Sequence, residues 1–182
     1  MATVTTHEII TYIEGLSGHA LNEDEGVQHG DATRPVHRLL LCWMATAAAL
    51  QAAGRRGADL VITHESLYYP YNASHRQDNP LDWEEWPTNR QRRALLEQHD
   101  LTLLRAHGSL DEICIYDDFA ALLGLGNPIQ AEGLARVYEM APCSLASLVE
   151  RVKAAVDMSA VRVSAPQGLG QVVRHVGLPW GG

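Results

Sequence analysis

The chain has 182 residues, 46% hydrophobic and 20% charged, enough for a sizeable buried core and ordinary for a globular protein. Its 14 Lys and Arg against 22 Asp and Glu leave a formal charge of −8, which argues against a basic face and so against nucleic acid as a partner. No apolar stretch approaches the roughly 20 residues that span a bilayer, and no basic region precedes an apolar run at the N-terminus, so no membrane partner and no secretory signal are expected.

Thr5 and Glu8 stand at capping-box spacing and open a helix. Its apolar face is Ile9, Ile10 and Ile13, and Gly15 and Gly18 mark its end. Residues 22–30 read as an acidic, glycine-containing loop in which Glu23, Asp24 and Glu25 form a solvated run. Leu39-Leu40-Leu41-Cys42 reads as a buried strand, and Thr46 can cap an alanine-rich helix over 47–53 that Gly54 and Gly57 terminate. The apolar run Leu60-Val61-Ile62 then supplies a second buried strand. The two strands and the helix make a β-α-β unit, expected to be parallel with a right-handed crossover.

Residues 66–87 lose regular periodicity and hold Tyr68, Tyr69, Tyr71, Trp83 and Trp86. A loop of this length serves as a wall of a site or gathers a satellite hydrophobic cluster. Thr88 and Gln91 repeat the capping-box spacing for a helix over 88–97, with Leu95 and Leu96 inward and Arg90, Arg92 and Arg93 on its other, solvated faces. A third strand follows at 101–104. Asp117 or Asp118 starts a further helix through Leu123, stopped by Gly124 and Gly126. Residues 144–156 form an amphipathic helix, and the alternation at 161–163 and 172–176 around a glycine-containing turn predicts a hairpin.

Cys42, Cys114 and Cys143 are odd in number and form no Cys-x-x-Cys pair, the usage of reduced thiols acting as small core hydrophobes in a cytoplasmic protein. Asn72-Ala73-Ser74 matches a glycosylation sequon that has no use without secretion. No internal repeat or low-complexity segment is present.

The chemistry gathers at two strand ends. His64 and Glu65 follow Leu60-Val61-Ile62-Thr63, and His107 with Asp111 follows Leu101-Thr102-Leu103-Leu104. Carboxyl ends of strands are where open α/β sheets place ligands. Imidazole and carboxylate together suit Zn, Fe, Mn, Co or Ni, and the lack of nearby Cys argues against a thiolate zinc site. Neighbouring residues on an extended strand point apart, so His64 and Glu65 share a site only where the backbone turns. Each strand end alone is also what a structural role produces: a capped loop histidine, a surface acid, a helix N-cap. Two ends with the same chemistry favour a metal site.

Gly26-Val27-Gln28, then Gly57-Ala58-Asp59-Leu60-Val61-Ile62-Thr63-His64, then His107-Gly108-Ser109-Leu110-Asp111, resemble the successive motifs of the Nif-three-like dinuclear-metal family, also known as GTP cyclohydrolase type-two homologues. Order, spacing and the following Leu122-Leu123-Gly124-Leu125 agree over roughly residues 20 to 126. The resemblance implies an α/β fold, with parallel β-α-β units in a sheet flanked by helices and a single domain over residues 1–182. It also implies divalent metal ions, two per site in a complete member, and a homo-oligomer up to a hexameric ring. His64 and Glu65 match the family's histidine pair and Asp111 its metal-ligating aspartate. His107 matches a histidine beside the site that orients a ligand or carries a proton. Glu65 stands where the family has histidine. The family's late His-x-x-x-Glu pair has no counterpart around His175, so the chain is expected to lack the family's C-terminal segment.

The function expected from these readings is metal-dependent hydrolysis of a nucleotide or other phosphorylated small molecule at a dinuclear centre. The alternatives are a non-catalytic metal-binding regulatory or interaction scaffold, and a metal-free small-molecule pocket.

Overall fold

The computed structural model describes residues 4–70, 78–132 and 135–179, and it divides into two compact units, residues 1–113 and 114–182. The sequon at Asn72, together with Tyr71 and Trp180-Gly181-Gly182, lies outside the described residues.

The first unit begins with strand β1 (Val4–Thr5) and helix α1 (Thr6–Ser17), and both halves of the predicted Thr5/Glu8 capping box are made. Gly18 closes α1 in the left-handed conformation that glycine adopts without penalty. Next comes β2 (Gly26–His29), inside what reads from the sequence as an acidic loop. Strand β3 (Pro35–Val36) pairs with β1, and β4 (Leu39–Cys42) leads to α2 (Ala47–Arg55), capped by Thr46 as expected. Strand β5 (Leu60–Thr63), helix α3 (Pro87–Gln98), strand β6 (Thr102–Arg105) and the short helix α4 (Gly108–Leu110) follow.

Four strands form the sheet that carries the site, in the order β2-β6-β5-β4. β4, β5 and β6 are parallel, and β2 runs antiparallel to β6. β5 and β6 are buried at every residue. Their side chains alternate between two apolar layers. Val61 and Leu103 pack with Leu50, Ala53, Leu95 and Leu96 of α2 and α3, while Leu60, Ile62 and Leu104 pack with Ile13 of α1. Fully burying each such aliphatic side chain contributes about 1.5–3 kcal/mol, which fixes these strand ends in place.

Leu39–Cys42 is a strand but an edge one, and its alternate residues Leu39 and Leu41 face solvent. Thr88 does not cap α3: the helix starts at Pro87, whose fixed φ suits the first helical position and whose missing N–H costs nothing there. Asn89 is instead buried and bonds the backbone of Tyr69 and Trp83. The third strand starts one residue later than expected and includes Arg105. The following helical run does not wait for Asp117. It begins at Gly108, passes through a π turn at Asp111–Ile115 and continues as α5 (Tyr116–Leu122).

The second unit also contains β7 (Gln130–Glu132), β8 (Ala135–Ser144), α6 (Leu145–Ala155) and β9 (Val172–Pro179). Its three strands form an antiparallel sheet in the order β7-β8-β9, and its core joins Ala120, Leu123, Tyr138 and Leu178. The predicted hairpin is not formed. Residues 161–163 are not a strand, and the partner of β9 is β8. The three cysteines are partly buried and form no disulfide with one another; Cys42 packs against the core. No helix among the described residues is long and apolar enough to cross a membrane.

Candidate metal centre

β5 ends at Thr63, and the backbone turns at once. The N–H groups of His64 and Glu65 both donate to the carbonyl of Trp43, at 3.2 and 2.9 Å, and the Thr63 hydroxyl donates to the carbonyl of Glu65 at 3.0 Å. This local turn lets adjacent side chains reach one region. On the neighbouring strand, His107 and Asp111 are one helical turn apart, and the Asp111 N–H donates to the His107 carbonyl at 3.0 Å. Residues four apart on a helix share a face.

His64 Nε2 lies 3.1 Å from Asp111 Oδ1. His64, His107 and Asp111 each present one ligand atom, all within 4.8 Å of one another, so this group could hold a metal ion. His64 and Asp111 are each only 8% exposed, and His107 is partly buried. The Trp43 ring stacks on His64 with centroids 3.8 Å apart and 12° between planes, covering one face of the imidazole. The His107 ring meets His64 edge-on, at 4.7 Å and 84°. His64 Nδ1 is a buried nitrogen with no hydrogen-bond partner among the described residues; Glu65 Oε1 stands 3.6 Å away. Two imidazoles and a carboxylate with no thiolate among them form a donor set whose chemistry fits a divalent cation.

A second layer of charge fixes the first. Asp24 Oδ2 lies 3.2 Å from His107 Nδ1 and accepts from Arg105 Nη1 at 2.7 Å. Arg105 has no exposed surface and also donates through Nε to the carbonyl of His64 at 3.0 Å. One guanidinium therefore ties both strand ends to the β2 approach. Glu25 is buried and accepts from Asn22 N at 2.7 Å, from Ser109 N at 3.0 Å and Oγ at 2.7 Å, and from the N–H of His107. Its burial alone would push the carboxyl up; the donors Asn22, Ser109 and His107 outweigh that and hold it below its ordinary value. Asp24 and Glu25 contact His107 while Glu65 and Asp111 contact the His64 ring, so carboxylates touch both histidines, a field that attracts cations.

Of the residues singled out in the sequence, His64, His107 and Asp111 converge, and Glu65 lies across the imidazole of His64 from Asp111. Asp24, Glu25, Trp43 and Arg105 were missed. One signal could have found the first two. An arginine continuing an apolar strand needs a buried anion, and the acidic run immediately before Gly26-Val27-Gln28 offers one.

The whole fold is shared with solved structures. Staphylococcus aureus hypothetical protein SA1388 aligns at 16% identity and TM-score 0.76, covering 99% of this chain and 73% of that one. A Bacillus cereus protein related to NIF3 aligns at 17% identity and TM-score 0.78, covering 100% and 78%. Reduced HcgD from Methanocaldococcus jannaschii aligns at 25% identity and TM-score 0.62, covering 85% and 61%. No curated protein matches the sequence. The motifs on both strand ends, the α/β sheet that holds them and a family model matching residues 4–182 agree: the chain belongs to the Duf34/NIF3 (NGG1p interacting factor 3) family.

Proposed function

We propose that this chain is a metal-dependent hydrolase acting on a nucleotide or other phosphorylated small molecule. The observation that carries the reading is the convergence of His64, His107 and Asp111, with ligand atoms within 4.8 Å of one another. These three residues would hold a divalent ion of the Zn, Fe, Mn, Co or Ni type. Glu65 stands on the other side of the His64 ring. A bound divalent ion supplies Lewis acidity and lowers the pKa of water toward about 7.

The chain's own residues do the rest. Asp24 holds the Nδ1 edge of His107 and so orients the ring, as carboxylates do for ligating histidines, and Arg105 holds Asp24. Trp43 keeps solvent from one face of His64. The phosphorylated class is supported by charge: a dication offsets the anionic substrate that this acidic chain would otherwise repel. A cytoplasmic setting, with free thiols, belongs to the same reading. So does a homo-oligomer, up to a hexameric ring. The exposed Leu39 and Leu41 on the edge strand β4 support it, and a monomer mass by light scattering would remove it.

Metal content per chain and hydrolysis of a nucleotide panel with Mn, Zn or Fe test the proposal. Near-stoichiometric metal and turnover, both lost in Asp111→Ala, are expected; turnover that survives in that variant would sink the mechanism. His107→Ala separates two roles. Loss of metal makes His107 a ligand, whereas retained metal with turnover down by about 10²-fold or more gives it the proton-handling role expected from the sequence. A second reading, a non-catalytic metal-binding regulator or scaffold, is favoured by Glu65, a carboxylate where the family has histidine. Bound metal with silence across the whole panel would select it.

A further inference from the structure

His64 stands between two carboxylates. Its Nε2 lies 3.1 Å from Asp111 Oδ1, and its Nδ1, at the other edge of the ring, lies 3.6 Å from Glu65 Oε1. Asp111 belongs to the three-residue donor group with His64 and His107, and Glu65 does not. The backbone explains the split. The N–H groups of His64 and Glu65 both donate to the carbonyl of Trp43, so the chain turns between them, and the Trp43 ring stacks on one face of His64 at 3.8 Å. Held by that stack and by Asp111, the imidazole presents one edge to each carboxylate.

This arrangement limits how many ions the donors can share. An imidazole nitrogen binds a metal of this type at roughly 2 Å. Ions on the two nitrogens of one ring would have the ring itself between them, farther apart than the roughly 3.5–4 Å of a two-metal centre. Glu65 is therefore on the wrong side of His64 to complete a pair with an ion at Asp111. A second donor set is also missing: among the described residues, His64, His107 and Asp111 are the only group of three metal-competent side chains brought together. The two ions implied by the family resemblance do not fit this set of residues; one ion does.

Glu65 has another task within reach. His64 Nδ1 is buried, with no hydrogen-bond partner among the described residues. A histidine that binds metal through one nitrogen donates its other N–H to a carboxylate or carbonyl, which fixes its tautomer and orientation. The His107 ring already has a carboxylate at that edge, with Asp24 Oδ2 3.2 Å from Nδ1. Glu65 at 3.6 Å is just outside hydrogen-bond range, and its side chain, 24% exposed, has room to close the gap.

We infer that this chain holds a single divalent ion on His64, His107 and Asp111, and that Glu65 is a positioning residue that accepts the Nδ1–H of His64. The inference rests on the metal reading of the site and not on the hydrolysis assigned to it. The test loads the full chain with Mn(II) or with Zn(II). One ion per chain by mass spectrometry and calorimetry is expected, with an uncoupled Mn(II) resonance at saturation. Imidazole nitrogen NMR of the Zn(II) form should show His64 protonated at Nδ1. Glu65→Ala should weaken metal affinity about 10- to 100-fold without changing the number of ions bound. Glu65→Gln keeps an acceptor for Nδ1–H but is a poor ligand, so it should recover most of that loss. A Gln variant as weak as the Ala one, or an Ala variant equal to the parent, would remove the positioning role. Two ions per chain with a spin-coupled Mn(II) spectrum would overturn the inference and leave the hydrolase reading standing. One ion per chain with no turnover on the nucleotide panel would do the reverse. Failure to take up either metal would end both.

Discussion

A guanidinium without exposed surface, at the end of a strand whose neighbours are apolar, needs a fixed anion, and Asp24 supplies it at 2.7 Å. Removing one partner of a buried ion pair leaves the other charge uncompensated, at roughly 3–5 kcal/mol. Asp24 keeps a quarter of its side chain exposed, so Asp24→Ala should fall toward the lower end, about 3 kcal/mol by urea denaturation. Adding Arg105→Met should recover part of the loss, and strictly additive costs would mean the pair is not coupled. Glu25 gives a pH signature. Its donors hold the folded carboxyl below the ordinary value of 4.5, so the folded state favours the anion more than the unfolded chain does. That stability is complete above the ordinary value and is lost as pH falls through the folded one. Glu25→Gln should flatten the acid limb of stability as pH falls below the ordinary carboxylate value of 4.5, and an equally steep limb in the variant would count against the assignment. His64, His107 and Asp111 were legible in the sequence because they follow apolar strands at set spacing. Asp24 and Glu25 were not, since a run of acids reads as solvated until Arg105 is known to be buried beside it.

At the scale of elements, α2 and α3 meet where Gly54 faces His99. A Cβ built on Gly54 would lie 2.3 Å from the His99 ring, a separation real atoms do not tolerate. Gly54→Ala would gain up to about 1 kcal/mol of helix propensity. Overpacking of about 1–3 kcal/mol outweighs it, so the variant should be net destabilised in thermal melts. Gly54→Ala with His99→Ala should restore stability relative to His99→Ala alone, because the clash is gone and the propensity gain remains. A glycine read as a helix stop is thus a contact glycine. The parallel strands were legible for a simple reason: β5 is apolar and buried on both faces. β8 was not. Pro142 interrupts it, its pairing shifts register between Glu139 and Cys143, and the alternation at 161–163 offered a false partner for β9. β4 reads as buried from composition alone, and only its place at the sheet edge explains why Leu39 and Leu41 are exposed.

At the scale of the molecule, the candidate centre lies wholly within residues 1–113, and the second unit has its own apolar core. A ligand that binds only the folded state stabilises it by mass action, about 2.7 kcal/mol at a concentration 100 times the dissociation constant. For a chain of this size each kcal/mol moves Tm by about 2–4 °C, so a saturating divalent ion should raise it by about 5–10 °C. Three of the four tryptophans, Trp43, Trp83 and Trp86, belong to the first unit, so tryptophan emission follows chiefly the part that holds the donor set. The gain should vanish on chelation, return when the ion is added back, and be absent from Asp111→Ala. A parent Tm indifferent to chelator and to every ion tried would mean that His64, His107 and Asp111 meet for structural reasons, and the centre would have to be given up.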